Sequence, residues 1–228
     1  MTIQLKNISF KNPDSNSYIF KNIDLQILNP GFYSLFGPSG VGKTSLAKII
    51  AKLNNRYSGE IIVKENCQIL YSYNLEKFPG WSSIGVHFKE TASLSGFNYL
   101  NDLVKIFGLE TFTGSAFSRL SMGQQNRANL TRYLIQDFDV LIMDECLANV
   151  DEKTKEKIIL HIKNMFPDKI FIYISHNANE VARFSKEIFI LRSSAKMPQI
   201  ITIKGLDIFQ SNENKELEKT VLKIIQVS

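Results

Sequence analysis

Hydrophobic positions recur with different periods along the chain, and each period implies a different kind of element. Near the start, Ile3, Leu5 and Ile8 alternate loosely with polar residues in TIQLKNISF, and YIFKNIDLQIL does much the same. Alternation of that kind puts one face on a core and the other in water. It predicts two half-buried strands joined by the turn-rich KNPDSNS, an antiparallel sheet. The apolar run FYSLF (32–36) leads into a glycine-rich segment, after which Leu46, Ile49, Ile50 and Leu53 fall at i, i+3, i+4 and i+7. Strand, loop and a helix with one face toward the core are the expectation. VLIM (140–143) and IFIYI (170–174) are almost unbroken apolar runs, as parallel strands buried on both faces require. Between them Ile158, Ile162, Met165 and Phe166 keep helical spacing, which predicts a crossover helix. From Lys89 to Gln136 there is no comparable strand run, and YLNDLVKIFGL is helical in pattern. That segment reads as a helical lobe inserted between strands. Leu217, Val221, Ile224 and Ile225 make one apolar helical face that should dock on the core. The fold class expected is α/β: a mixed or parallel sheet, an antiparallel β subdomain at the N-terminus, and an inserted helical subdomain. Residues 1–228 form a single domain in this reading, with 1–88 and 137–228 as the core and 89–136 as the lobe.

The glycine-rich segment carries the first chemistry. GPSGVGKTS places Gly37, Pro38, Ser39, Gly40, Val41, Gly42, Lys43, Thr44 and Ser45 between strand and helix, and satisfies G-x-x-x-x-G-K-[ST]. Glycines let backbone N–H groups converge on phosphate oxygens without a Cβ in the way, and the following helix aims its positive end at the same point. Lys43 would reach the β- and γ-phosphates and Thr44 a Mg²⁺ ion. The plain alternative is a glycine turn that only joins strand to helix. A nucleotide also needs an acidic element, which DVLIMDE supplies. Asp144 ends a buried strand, where parallel α/β sheets place their ligands, and would hold Mg²⁺ through water; Glu145 would act as general base on the attacking water.

Composition changes this picture little. With 228 residues and 44% hydrophobic content the chain can bury a real core. Its formal charge of +5, from 27 Lys+Arg against 22 Asp+Glu, is spread rather than blocked. A solvated surface accounts for that charge, and an anionic partner such as a membrane surface or nucleic acid is the other reading. Cys67 and Cys146 lack metal-ligand spacing and read as reduced thiols. No run approaches the roughly 18 apolar residues of a membrane helix. The polar MTIQLKNISFKNPD is no signal peptide. A cytoplasmic chain, peripheral on the inner face of the membrane through a partner, is the expectation.

LSMGQQNR (120–127) narrows the choice among nucleotide-binding families, because it resembles the LSGGQ signature of ATP-binding-cassette (ABC) ATPases and lies about twenty residues before the Asp-Glu pair. LANVD after Glu145 resembles that family's D-loop, and ISHN after the apolar strand resembles its switch motif. The resemblance covers nearly the whole chain and implies a P-loop NTPase core with ATP and Mg²⁺ as cofactors. It implies that Ser121, Gly123 and Gln124 of one copy meet nucleotide on a second copy, although Ser121 alone would read as an ordinary helix N-cap. It makes Asp151 a group that communicates across the dimer and puts His176 on the γ-phosphate, beside Lys43 and Glu145 as catalytic residues. Partners follow: a second copy in a head-to-tail nucleotide sandwich, an integral-membrane permease, a solute-binding protein through that permease, and no nucleic acid. The segments YSYNLEKFPGWSSIGVHF and NEVARFSKEIFILRSSAKMPQII are similar to importer cassettes for nitrate, sulfonate, taurine and related solutes.

Several positions depart from the family pattern. Asn12 stands where an aromatic residue commonly stacks on adenine, so either Tyr18 reaches in from a few residues away or base stacking is weak. Asn74 replaces the Q-loop glutamine as a ligand of metal or water and is one methylene shorter. Met122 replaces the first signature glycine, and Cys146 a proline after the glutamate. Phe78, Trp81, Phe88, Phe97 and Tyr99 serve equally as a permease groove or as plain core. Two other functions stay open on these residues: a soluble cassette ATPase acting on nucleic acid or protein complexes, and a regulatory cassette that binds nucleotide but barely turns it over.

Overall fold

The computed structural model describes residues 3–12, 17–74, 76–77, 82–210 and 216–228. The two N-terminal alternating segments form β1 (Ile3–Lys11) and β2 (Tyr18–Ile27), paired antiparallel with Leu5 opposite Leu25. A third strand, β4 (Ser58–Val63), flanks β1 on its other edge. Its residues are exposed or half-buried, so it carries little of the apolar signal that marked the other two.

The second sheet has the order β5-β6-β7-β3-β8-β9. Its strands are β3 (Gly31–Phe36), β5 (Ile69–Tyr73), β6 (Val140–Asp144), β7 (Ile170–Ile174), β8 (Glu187–Leu191) and β9 (Ile200–Lys204). All neighbours run parallel except β9, which closes an antiparallel hairpin with β8. Every residue of β6 and β7 is buried. Alternate side chains feed two cores: Phe32, Met143 and Tyr173 pack on one side, and Tyr33, Ile142 and Ile172 on the other. The mixed α/β architecture with an antiparallel N-terminal sheet is the expected one.

Because β3, β5, β6 and β7 are parallel, the segments that follow them leave one common edge of the sheet. Those segments are the glycine loop, Asn74, Glu145 and His176, in a sheet whose carboxyl edge is the ordinary place for a ligand.

The helices are α1 (Lys43–Ile50), α2 (Ile84–Thr91), α3 (Gly96–Ile106), α4 (Met122–Leu134), α5 (Glu152–Met165), α6 (Ala178–Phe184) and α7 (Leu217–Val227). The expected division at 88/89 cuts α2, which starts at Ile84 behind an N-cap at Ser83. Two apolar assignments need correction. Leu53 is not on the buried face of α1 but 63% exposed. Lys52 adopts φ 59, and the bonds Lys52 N–H to Ile49 O (3.0 Å) and Leu53 N–H to Lys48 O (2.8 Å) end the helix there, as a Schellman turn does. Ile225 is likewise 60% exposed; Leu217, Val221 and the fully buried Ile224 form the docked face of α7, and Ile225 falls on its flank.

Candidate nucleotide site

Gly37 and Gly42 shape the phosphate loop. Gly37 has φ 147, and a Cβ there would lie 2.1 Å from the carbonyl oxygen of Leu191. Gly42 has φ 106, and a Cβ would meet Ile19 at 2.6 Å, so the start of β2 presses on the loop itself. Tyr18, the neighbouring residue, is 39% exposed, with the Lys11 and Lys21 ammonium groups 4.9 and 5.5 Å from its ring centre. Pro38, Ser39 and Gly40 are exposed, whereas Val41 is buried. The first intrahelical bond of α1 runs from Leu46 N–H to Gly42 O. The amides of Lys43, Thr44 and Ser45 therefore point out of the helix start, a ready donor set for an anion.

Lys43 is buried and donates from Nζ to the carbonyls of Gly37 and Pro38, both at 2.8 Å. An ammonium has three donors, so one remains for a ligand. Burial lowers the Lys43 pKa, and the nearby Glu145 and Asp144 charges oppose that shift.

Asp144 closes β6 and is 6% exposed. Its Oδ2 accepts the Tyr71 hydroxyl at 2.6 Å. Glu145 follows with φ 53, left-handed backbone that a non-glycine residue seldom adopts. Its N–H is tied to Ile174 O at 3.1 Å. The kink turns the Glu145 carboxylate onto His176 Nε2, and the two are in contact. Glu180, buried on α6, accepts from Ser175 Oγ and Tyr173 OH at 2.7 Å each and from Lys155 at 2.6 Å. It thereby anchors the residue next to His176. Thr44, Lys48, Leu53, Tyr71, Tyr73, Asn74, Asp144 and Glu145 line one cleft of about 530 Å³.

Asn74 is engaged by its own chain. Its Oδ1 accepts from Asn126 Nδ2 on α4 at 2.9 Å and from Asn149 Nδ2 at 3.4 Å. The next part of the loop is gripped as well: Glu76 accepts from Tyr133 OH at 2.8 Å and contacts Arg132, while its carbonyl accepts from Asn129 at 2.5 Å. Ser121 caps α4: its Oγ accepts from Gln124 N–H at 3.3 Å, and Gln124 Oε1 accepts from Ser121 N–H at 2.8 Å. A Cβ on Gly123 would stand 2.4 Å from Asn149 O. Asp151 caps α5 by accepting from Thr154 N–H at 2.9 Å, a bond that lowers its pKa. Within one chain, then, Ser121, Gln124 and Asp151 are helix caps and Gly123 is a close-packing point.

Of the aromatics, Phe88 is core, Tyr99 packs on Phe166 at 5.2 Å, and Phe97 is half exposed; Phe78 and Trp81 lie outside the described residues. Cys146 is fully buried and Cys67 partly so, both free thiols. Among the described residues no three His, Cys, Asp or Glu side chains gather as a metal cluster. Thr44 and Asp144 nonetheless fit Mg²⁺, which takes hard oxygen ligands, often one or two from protein, and completes its shell with phosphate and water.

Residues 20–148, more than half of the chain, match the family described as ABC transporter. The chain belongs to the ABC transporter family. It is an ATP-binding cassette of that family, an ATPase. An aliphatic sulfonates import ATP-binding protein of Bacillus cereus is 28% identical over 244 residues, spanning 99% of this chain and 95% of that protein. The spermidine/putrescine import ATP-binding protein of Fusobacterium nucleatum is 29% identical over 202 residues, spanning 81% and 53%. In fold, the chain resembles a dimeric ATP-binding cassette in a post-hydrolysis state bound to ADP and Pi, with a TM-score of 0.73, 24% identity, and 89% and 99% of the two chains covered. A bacterial Atm1-family ABC exporter with ATP bound gives a TM-score of 0.79 at 15% identity, over 97% of this cassette and 42% of that chain. Among the described residues no helix of this cassette is long and apolar enough to cross a membrane.

Tyr71 and Glu180 are residues that motif reading misses, as are the bonds that Asn126 and Asn149, inside LSMGQQNR and LANVD, each donate to Asn74. Tyr71 had one available signal: it sits in an apolar run ending at Asn74, the position matched to the Q-loop.

Proposed function

We propose that this cassette is the ATP-hydrolysing subunit of an importer for a small solute, and that two copies close head to tail over two ATP molecules to drive it. The observation that carries the proposal is the meeting of Lys43, Asp144, Glu145 and His176 at one edge of the sheet, with Glu145 already touching His176. Phosphoryl transfer to water needs positioning and charge stabilisation more than covalent chemistry. The loop amides and Lys43 hold the phosphates. Mg²⁺, when bound at Thr44 and Asp144 with Asn74 nearby, would neutralise phosphate charge. Glu145 takes a proton from the attacking water as the bond between the γ-phosphorus and the β–γ bridging oxygen breaks. His176 leaves its contact with Glu145 to donate to the γ-phosphate. Ser121, Gly123 and Gln124 of the second copy cover that phosphate from the other side, and Asp151 lies next to the same junction. Tyr18 is the aromatic surface offered to adenine.

The partners in this reading are a second copy, a permease in the membrane and, through it, a solute-binding protein; the cassette sits on the cytoplasmic face. Support for an importer comes from the relatives' names, and the sulfonate relative is matched over almost its whole length. Polyamine and molybdenum relatives have similar identity, so the solute is left at the level of a small molecule chosen by the permease.

Glu145→Gln tests the assignment. It should bind ATP as the native chain does while phosphate release falls at least about a hundredfold, the lower range for loss of a general base. Undiminished release would remove Glu145 from that role. Recovery of the native chain from detergent together with a polytopic membrane protein supports the transport reading, and salt-sensitive binding to nucleic acid instead would contradict it.

A further inference from the structure

Asp144 is held from a neighbouring strand as well as by its own. β5 lies beside β6, with Tyr71 in register with Ile142 and Tyr73 with Asp144. From that position the Tyr71 hydroxyl reaches across to Asp144 Oδ2 at 2.6 Å. The direction of this bond is fixed by chemistry, because an ionised carboxylate can only accept. The Tyr71 phenol O–H is the donor. Its ring cannot swing away. Tyr71 is 8% exposed, packs in the core beneath the phosphate loop, and stacks on Tyr73 with ring centres 5.8 Å apart.

One oxygen of Asp144 is therefore committed, and the rotation of the carboxylate is set by a donor 73 positions earlier in the chain. We infer that Tyr71 is a positioning residue for the metal-site carboxylate, fixing the orientation in which Asp144 faces the Mg²⁺ of bound ATP and the water between them. The inference rests on Asp144 having the metal role proposed above. Hydrogen-bond partners that orient a metal ligand from behind typically account for about 10–100-fold in metal affinity. Without the hydroxyl, Asp144 Oδ2 would sit in a buried place with one donor fewer. The carboxylate would then be free to rotate, and that loss of orientation weakens it as a ligand.

Tyr71→Phe isolates the effect, since it keeps the ring, the stack and the core volume. Binding of a fluorescent ATP analogue is measured first in EDTA and then as Mg²⁺ is added. For Tyr71→Phe the EDTA affinity should stay within about twofold of native, while the Mg²⁺ concentration giving half of the metal-dependent signal rises about tenfold or more. A Mg²⁺ curve that superposes on the native one overturns the inference. So does an equal weakening with and without metal, which is what a tyrosine with only a packing role would give. Asp144→Asn, measured alongside, separates the two levels of the argument. A Mg²⁺ response that survives in Asp144→Asn removes the metal role from Asp144, and with it the role of Tyr71. A response lost in Asp144→Asn but intact in Tyr71→Phe removes Tyr71 alone.

Discussion

Gly123 lies one residue inside α4, where alanine is the better helix former by up to about 1 kcal/mol. Yet its Cβ would meet the carbonyl oxygen of Asn149 at 2.4 Å. Backbone cannot yield there cheaply, and overpacking of this kind costs about 1–3 kcal/mol, so the clash outweighs the propensity gain. Gly123→Ala should lower the urea midpoint of the nucleotide-free chain, corresponding to a net loss of roughly 1–2 kcal/mol in unfolding free energy. A midpoint equal to or above the native value would leave contact with a second copy as the only reason for glycine here. At this scale the site was largely readable: Lys43, Thr44, Asp144, Glu145 and His176 each sit in a short segment whose spacing carries chemistry. Tyr71 and Glu180 were not, because what defines them is a partner in space. Tyr71 meets Asp144 across a strand boundary, and Glu180 meets Lys155 from another helix. A motif records neighbours in sequence only.

Elements divide in the same way. The strands β6 and β7 were legible because burial on both faces demands unbroken apolar residues, and α3 because Leu100, Leu103 and Val104 keep one buried stripe. β4 and β5 escaped. β4 is mostly wetted at the edge of its sheet, and β5 mixes the buried polar Ser72 with Tyr71 and the exposed Tyr73. The end of α1 was hidden by its chemistry: a lysine, not a glycine, takes the left-handed position. Lys163 shows the limit of pattern reading on α5. It occupies an interior place and donates to Phe184 O, Asp207 Oδ1 and Ile208 O at 2.8 Å each. All three donors of the ammonium are thus used, which is how a buried charge is tolerated, and hydropathy marks the position as surface.

For the molecule as a whole, the protons it buries set a pH limit. Burial is the first cause that raises the pKa of Tyr33, to about 12, and of the Cys146 thiol, also to about 12. Tyr71, Tyr133 and Tyr173 are raised for the same first reason. Unfolded, these groups release their protons near the ordinary values of 9.0 for a thiol and 10.0 for a phenol. Above those values the folded chain holds more protons than the unfolded one, so stability falls as pH rises. Lys43 and Lys163, lowered by burial from 10.5, act in the opposite sense below that value, as does Arg127, also lowered by burial; with the Cys67 thiol raised by burial as well, three bases stand against six raised acids in this alkaline range among the described residues. The urea midpoint should decline from about pH 9 toward about pH 12, less steeply in Tyr33→Phe. A midpoint that rises over that span would contradict the assignment of these buried protons.

The fold brings the loop amides, the carboxylates and His176 to one edge, while Ser121 and Gly123 lie at the far start of α4, where a single chain uses them to cap and pack. The nucleotide role proposed for them requires a second molecule. Light scattering on the Glu145→Gln chain decides the matter. In ATP and Mg²⁺ its mass should move from 26.0 kDa to twice that value, return with EDTA, and remain at 26.0 kDa when Ser121→Arg is added. A mass of 26.0 kDa under every condition, or a dimer indifferent to both nucleotide and Ser121→Arg, would contradict closure of two copies over ATP.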